Sequence, residues 1–178
     1  DENYLVTTIL RRPFSYNVTY SNFSRKTELW DAKGNVVKTL VEFPVTDEIP
    51  TQGVVTGPRF FTWQALHPAK IIWAEALDGG DPKRTAEYRD KIMMLSAPFA
   101  TEPVELGKTV HRYSGLTWTA QKDIALLAEY DRDRRWRTTC LVDMNSPALK
   151  DTLFNLSVND DYNDPGNPLF DRLQDGDY

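Results

Sequence analysis

A repeated pair of dipeptides constrains this chain more than any other feature. Thr62-Trp63 recurs as Thr117-Trp118, and Ala74-Glu75 recurs as Ala128-Glu129, each roughly 55 residues on, close to the period of stacked repeat architectures. Each copy runs aromatic strand, short loop, apolar strand with Ala-Glu near its end, loop, then another apolar strand, Ile92 to Leu95 in one and Thr139 to Val142 in the other. That is most of a four-stranded antiparallel blade. The third strands are spaced more closely than the first two, so the earlier unit carries about seven extra residues between Asp78 and Asp90, a loop on a repeated scaffold where specificity tends to be placed. With a partial hairpin unit in front, the pattern predicts an all-β chain, a partial β-propeller of about three four-stranded antiparallel blades, where complete rings hold about four to eight. The units divide as 1–56, 57–110 and 111–178.

Local signals agree. YLVTTIL (4–10), NVTY (17–20), TELWD (27–31), VVKTLVEF (36–43), IIWAEAL (71–77), KIMML (91–95), IALLAEY (124–130) and RTTCLVD (137–143) alternate, carry β-branched or aromatic residues, and stop at turn formers. Asp31-Ala32-Lys33-Gly34-Asn35 joins two of them as a tight hairpin, in which Gly34 and Asn35 can take positive φ. KRTAEYRDKIMML (83–95) places Tyr88, Ile92 and Leu95 at helical spacing, yet its second half serves equally well as a strand.

Charge excludes some functions. A formal net charge of -5 argues against a phosphate-binding surface, and the basic cluster RDRRWR (132–137) reads as a solvated hairpin corner; no nucleic-acid partner is expected. No apolar run approaches the roughly 20 residues of a membrane span, so no membrane partner is expected. Cys140 is alone, which rules out an intramolecular disulfide, and its setting in TTCLVD reads as a buried strand position.

Five segments carry a family resemblance: PTQGVVTGPRFFTW (50–63), HPAKIIWAEALDGGDP (67–82), YRDKIMMLSAPF (88–99), HRYSGLTW (111–118) and NDDYNDPGNPL (159–169). Together they resemble the amino-terminal propeller of the glutamyl endopeptidase-like branch of the prolyl oligopeptidase family of serine peptidases, and RRPFSYNVTYSNFSRKTELWD (11–31) is similar to that branch too. The resemblance implies a two-part enzyme, a propeller covering an α/β-hydrolase domain that carries Ser, Asp and His. It also implies an exported or periplasmic bacterial setting, or a plastid one. No G-x-S-x-G nucleophile elbow occurs in the 178 residues. The expectation is therefore a noncatalytic fragment that gates and filters peptide substrate for a C-terminal hydrolase domain of the same parent chain, with no catalytic residue, no cofactor and no metal of its own. The alternative is a free-standing propeller-like module that binds a protein partner; an encoded hydrolase domain following this chain would decide against it. An incomplete set of blades also implies self-association through open edges.

Asp78-Gly79-Gly80-Asp81-Pro82 is the motif with two readings. Structurally, the glycines permit a sharp turn, the aspartates can bond nearby N–H groups, and Pro82 stops the preceding strand. Functionally, the long loop would help select peptides, with Asp78, Asp81, Arg84 and Arg89 as substrate-contact candidates and an arginine available for an acidic side chain. Glu75 and Glu129, at equivalent strand ends, read as scaffold; Trp63 and Trp118 read as core between blades. Neither His67 nor His111 has a motif-defined nucleophile beside it. Asp161 to Gly166 begins like a calcium loop, but Pro165 replaces the fifth ligand and Arg172 stands where the closing Glu belongs, which favours an ordinary loop. The sequons at Asn17, Asn22 and Asn155 matter only in a eukaryotic secretory setting.

Overall fold

Strand order follows chain order throughout. The computed structural model describes residues 3–14, 16–46, 49–50, 52–146 and 150–169, and these form three antiparallel meanders in two compact units divided after Val110. In the first unit, β1 (Tyr4–Leu10), β2 (Arg25–Asp31) and β3 (Val36–Phe43) make a three-stranded sheet, and β4 (Arg59–Trp63), β5 (Lys70–Ala76), β6 (Asp90–Ser96) and β7 (Val104–Thr109) make a four-stranded one. The second unit is one sheet of β8 (Arg112–Trp118), β9 (Ile124–Asp131), β10 (Trp136–Asp143) and β11 (Lys150–Ser157). The all-β class and the partial array of about three blade-type sheets are as expected, the front sheet being the incomplete one with three strands. No α-helix occurs among the described residues, and the second half of 83–95 is β6.

The sequence repeat is a repeat of register. Trp63 faces Ile71 across β4 and β5, and Trp118 faces Ala125 across β8 and β9; Thr62 and Thr117 take the next rung in each. Ala74 then pairs with Ile92, and Ala128 with Thr139. Both first strands are bulged, between Arg59 and Thr62 in one and Tyr113 and Gly115 in the other. A bulge turns the strand and re-aims its side chains.

Burial alternates along β9 but runs unbroken through Thr27 to Leu29 of β2 and Ile71 to Ala74 of β5, the strands at the centre of the first unit. Leu29 of β2, Ile71 and Trp73 of β5, Leu95 of β6, and the loop residues Ala69 and Phe99 form one buried cluster, with Tyr4, Val6 and Trp63 packed on its margin. The two sheets of the first unit thus share a core, each fully buried Leu or Ile contributing roughly 1.5–3 kcal/mol. Tyr4 meets Phe99 edge-on, with ring centroids 4.9 Å apart. In the second unit Ala125, Leu127, Cys140 and Val142 are buried, so Cys140 takes the strand position its neighbours predict.

Two local expectations fail. NVTY is not a strand: Tyr20–Asn22 is a 3-10 turn in which Phe23 N–H donates to the Tyr20 carbonyl and the Thr19 and Ser21 hydroxyls bond each other at 2.8 Å. The backbone bond satisfies groups that a ladder would otherwise need. At the 31–35 hairpin only Gly34 takes positive φ, +84°; Asn35 instead donates from its backbone and side-chain nitrogens to the Asp31 carboxylate at 2.8 and 2.9 Å. That bonding holds the Asp31 carboxyl below its ordinary pKa.

Candidate functional site

The connection from β5 to β6 spans 77–89, where β9 and β10 are joined by 132–135 alone. Leu77 N–H donates to the Arg89 carbonyl at 2.9 Å and seals the loop's base. Gly79 and Gly80 follow at φ +69° and +76°, a region that L side chains avoid. Asp78 is buried inside the corner they make. One of its oxygens accepts from Gly80 N–H at 3.0 Å and the other from Arg89 Nη1 at 2.9 Å. Arg89 also donates to the Arg84 carbonyl at 2.6 Å, and Asp81 accepts from Lys83 N–H at 2.9 Å.

All four candidate residues thus lie in one loop, but in different roles. Asp78, Asp81 and Arg89 close the loop on itself. Arg84 is exposed, and its guanidinium fills the space where a Cβ on Gly79 would sit.

The loop also braces something else. The Gly80 carbonyl accepts from Val54 N–H at 2.9 Å, and a Cβ on Gly80 would fall 2.0 Å from the Val54 carbonyl oxygen. Gly53 and Val54 line a cleft of about 1000 Å³ in the first unit, whose other walls include Val6 and Thr8 of β1, Phe43 of β3, and Phe61 and Trp63 of β4. Its described lining holds two charged residues, Arg25 and Arg59, and no carboxylate. Arg25 donates to the Ser21 carbonyl and stands 4.9 Å from the Phe43 ring, and burial lowers its pKa from the ordinary arginine value.

Arg59 is the residue that sequence reasoning missed. The β4 bulge lets it turn inward, where its Nη2 pairs with the Asp90 carboxylate; the side chains are 7% and 0% exposed. Its Nε and Nη1 are buried with no hydrogen-bond partner. An arginine before an aromatic strand carries no signal for this, since its partner lies on β6.

The remaining candidates make local bonds. Glu75 accepts from Trp73 Nε1 at 2.8 Å and pairs with Lys91 at 3.0 Å, while Glu129 accepts from His111 N–H at 3.0 Å. His111 Nδ1 stands 3.8 Å from Asp131. In the 160–166 loop, Asn163 donates to Asp160, Gly166 N–H donates to Asp164 at 2.8 Å, and Arg137 pairs with Asp164 at 3.1 Å. Arg172 lies outside the described residues.

Comparison with known proteins finds two plant relatives, from Oryza sativa subsp. japonica and Arabidopsis thaliana, each named "Probable glutamyl endopeptidase, chloroplastic" and each 34% identical to the whole of this chain. The chain spans 19% of the length of each. No protein-family model matches it, and no solved structure does. Across its whole length the chain is therefore related to one segment of the glutamyl endopeptidases, as the motifs from Pro50 to Leu169 indicated.

Proposed function

We propose that this chain is part of the β-propeller of a serine peptidase of the prolyl oligopeptidase family, and that it gates and filters peptide access to an α/β-hydrolase domain carried elsewhere in the parent. One observation carries the reading: the likeness to the plant glutamyl endopeptidases runs along the whole chain yet engages only 19% of their length. Such a share is what a repeated, noncatalytic portion of a larger enzyme would give. The recurring register of the second and third sheets supports it, because blades of one ring bury equivalent faces. So does the lack of a nucleophile elbow in these 178 residues. In the loop that distinguishes the second sheet from the third, Arg84 and Lys83 are exposed cations open to an acidic side chain, whereas Arg89 is held by Asp78.

The test is a side-by-side assay of this chain and its full-length parent on a Glu-containing fluorogenic peptide, with fluorophosphonate labelling of both. Cleavage and labelling by the parent alone are expected. Labelling of the 178-residue chain itself would overturn the noncatalytic role, and an inactive, unlabelled parent would overturn the peptidase.

A further inference from the structure

The third sheet is apolar on both faces, and one of them is open. Along β9, Ala125 and Leu127 point to one side and Leu126, Ala128 and Tyr130 to the other. Ala125 and Leu127 are buried, as are Cys140 and Val142 opposite them on β10. Leu126 and Ala128 are half-buried, and Phe154, on their side of β11, is 41% exposed. The register repeat supplies the comparison. Thr62, Ile72, Ala74 and Ile92 hold the rungs in the second sheet that Thr117, Leu126, Ala128 and Thr139 hold in the third. Ile72, Ala74 and Ile92 are buried, whereas their three counterparts are half-buried. A sheet face made for water carries mostly polar side chains; this one keeps Leu126, Ala128, Tyr130 and Phe154, with Thr117, Thr139 and Arg137 among them.

After β11 the chain turns back to that face. Arg137 pairs with Asp164 at 3.1 Å, and Gly166 N–H donates to the same carboxylate at 2.8 Å. Pro165 to Pro168 then line a cavity of about 340 Å³ together with residues of all four strands. Packed interiors keep few voids larger than one water, about 30 Å³, so this space, room for about ten, is not a packing defect. A small-molecule site would add convergent polar groups, whereas the charged side chain in the described lining, Arg137, is tied to Asp164. The first unit shows how such a space is closed: Ile49, Pro50 and Gly53 to Val55 line its cleft, and β4, the strand that follows them, supplies Phe61 and Trp63 to the wall.

We propose that the open face of the third sheet is an interaction surface for a further β-sheet of the parent, whose first strand lies over this cavity and fills it with apolar side chains, aromatic ones among them as in β4. The proposal rests on the reading of the chain as part of a larger peptidase, and a chain that spans 19% of each relative leaves ample length for such a sheet. The Asp164–Pro168 segment is then the lead into that strand, held at the face by Arg137.

The experiment is hydroxyl-radical footprinting of the unsubstituted 178-residue chain and of its full-length parent, read residue by residue by mass spectrometry. Oxidation of Leu126 and Phe154 is expected to fall at least about tenfold from the chain to the parent, because a packed interface excludes solvent, while Leu127 on the closed face stays low in both. Equal oxidation of Leu126 and Phe154 in the two proteins overturns the proposal. Protection already present in the isolated chain and growing with its concentration makes the cover a second copy, and overturns the claim for a further sheet. What covers the face is then identified by replacing Phe154 with a photocrosslinking benzoylphenylalanine in the parent. A cross-link to a β-strand peptide that follows this segment is expected; a cross-link to the domain that carries the reactive serine, or to no part of the parent, overturns the assignment. Failure here is separable from failure of the gating reading. A parent that cleaves its peptide and takes the serine label while Leu126 and Phe154 stay oxidised keeps that reading and loses this one, and an inactive, unlabelled parent in which they close does the reverse.

Discussion

Gly80 shows at the scale of one residue how a turn motif acts on a distant surface. Its φ of +76° is one constraint, and the Val54 carbonyl oxygen, 2.0 Å from where a Cβ would be, is a second and independent one. Gly34, at φ +84°, meets the first constraint with open space around it. The pair therefore separates conformational strain from steric conflict. Gly34→Ala is expected to lower stability by about 1–2 kcal/mol, the left-handed penalty alone. Gly80→Ala adds a backbone clash to that penalty and is expected to cost about 2–5 kcal/mol. Urea unfolding followed by tryptophan fluorescence measures both; equal losses would mean that the loop does not press on Val54. The Asp78 side chain, fully buried with Arg89 as its ion-pair partner, belongs to the same bracing, so the turn that the glycines and aspartates signal in sequence is closed by its own side chains.

Among the elements, the β2–β3 hairpin offers a titration test of its turn. Asn35 bonds both carboxylate oxygens of Asp31 and holds its folded-state pKa below the ordinary 3.8. A depressed carboxyl stabilises the fold above its unfolded pKa, and that stabilisation is lost as pH falls through the folded value. Asn35→Ala should therefore lower the melting temperature most above about pH 4, and the gap from the wild type should shrink as pH drops below it. A gap that stays constant between neutral pH and pH 2 would detach Asn35 from the Asp31 titration. Elements of this kind were legible in the sequence because alternation, β-branching and turn residues coincide, as in VVKTLVEF and IALLAEY. VELGKT and KDTLFNLS gave no such signal, since β7 and β11 are edge strands with one paired side and a largely polar makeup. NVTY misled because two β-branched residues cannot outweigh a tight turn in which the Thr19 and Tyr20 carbonyls accept from Asn22 and Phe23 N–H. The candidate loop was legible as a loop, through its glycines and proline. The cleft was not, because Arg59 and Asp90 meet across a sheet and their burial depends on a bulge that no residue of RFFTW announces.

For the whole molecule, the open question is what completes the sheets. Each of the three has two edge strands, and β1, at the edge of the first sheet, is apolar on both faces. Tyr4 and Val6 pack on the core margin, whereas Leu5 and Ile9, on the opposite face, are 58% and 40% exposed. An exposed apolar edge recruits a further strand when one is within reach. If the chain is part of a larger ring, the edges are covered in the parent and uncovered in the 178-residue chain. Sedimentation of this chain should then show a weight-average mass that rises with concentration, while the parent's mass stays constant. The double substitution Leu5→Lys and Ile9→Lys should suppress the rise, since lysines on an edge strand repel a second copy without disturbing the core face. A strictly monomeric chain over a hundredfold range of concentration would show that its edges need no cover, and would count against an incomplete ring. Association that survives the lysines would move the contact to another edge, with Val36 and Val37 of β3 the next exposed apolar pair to replace.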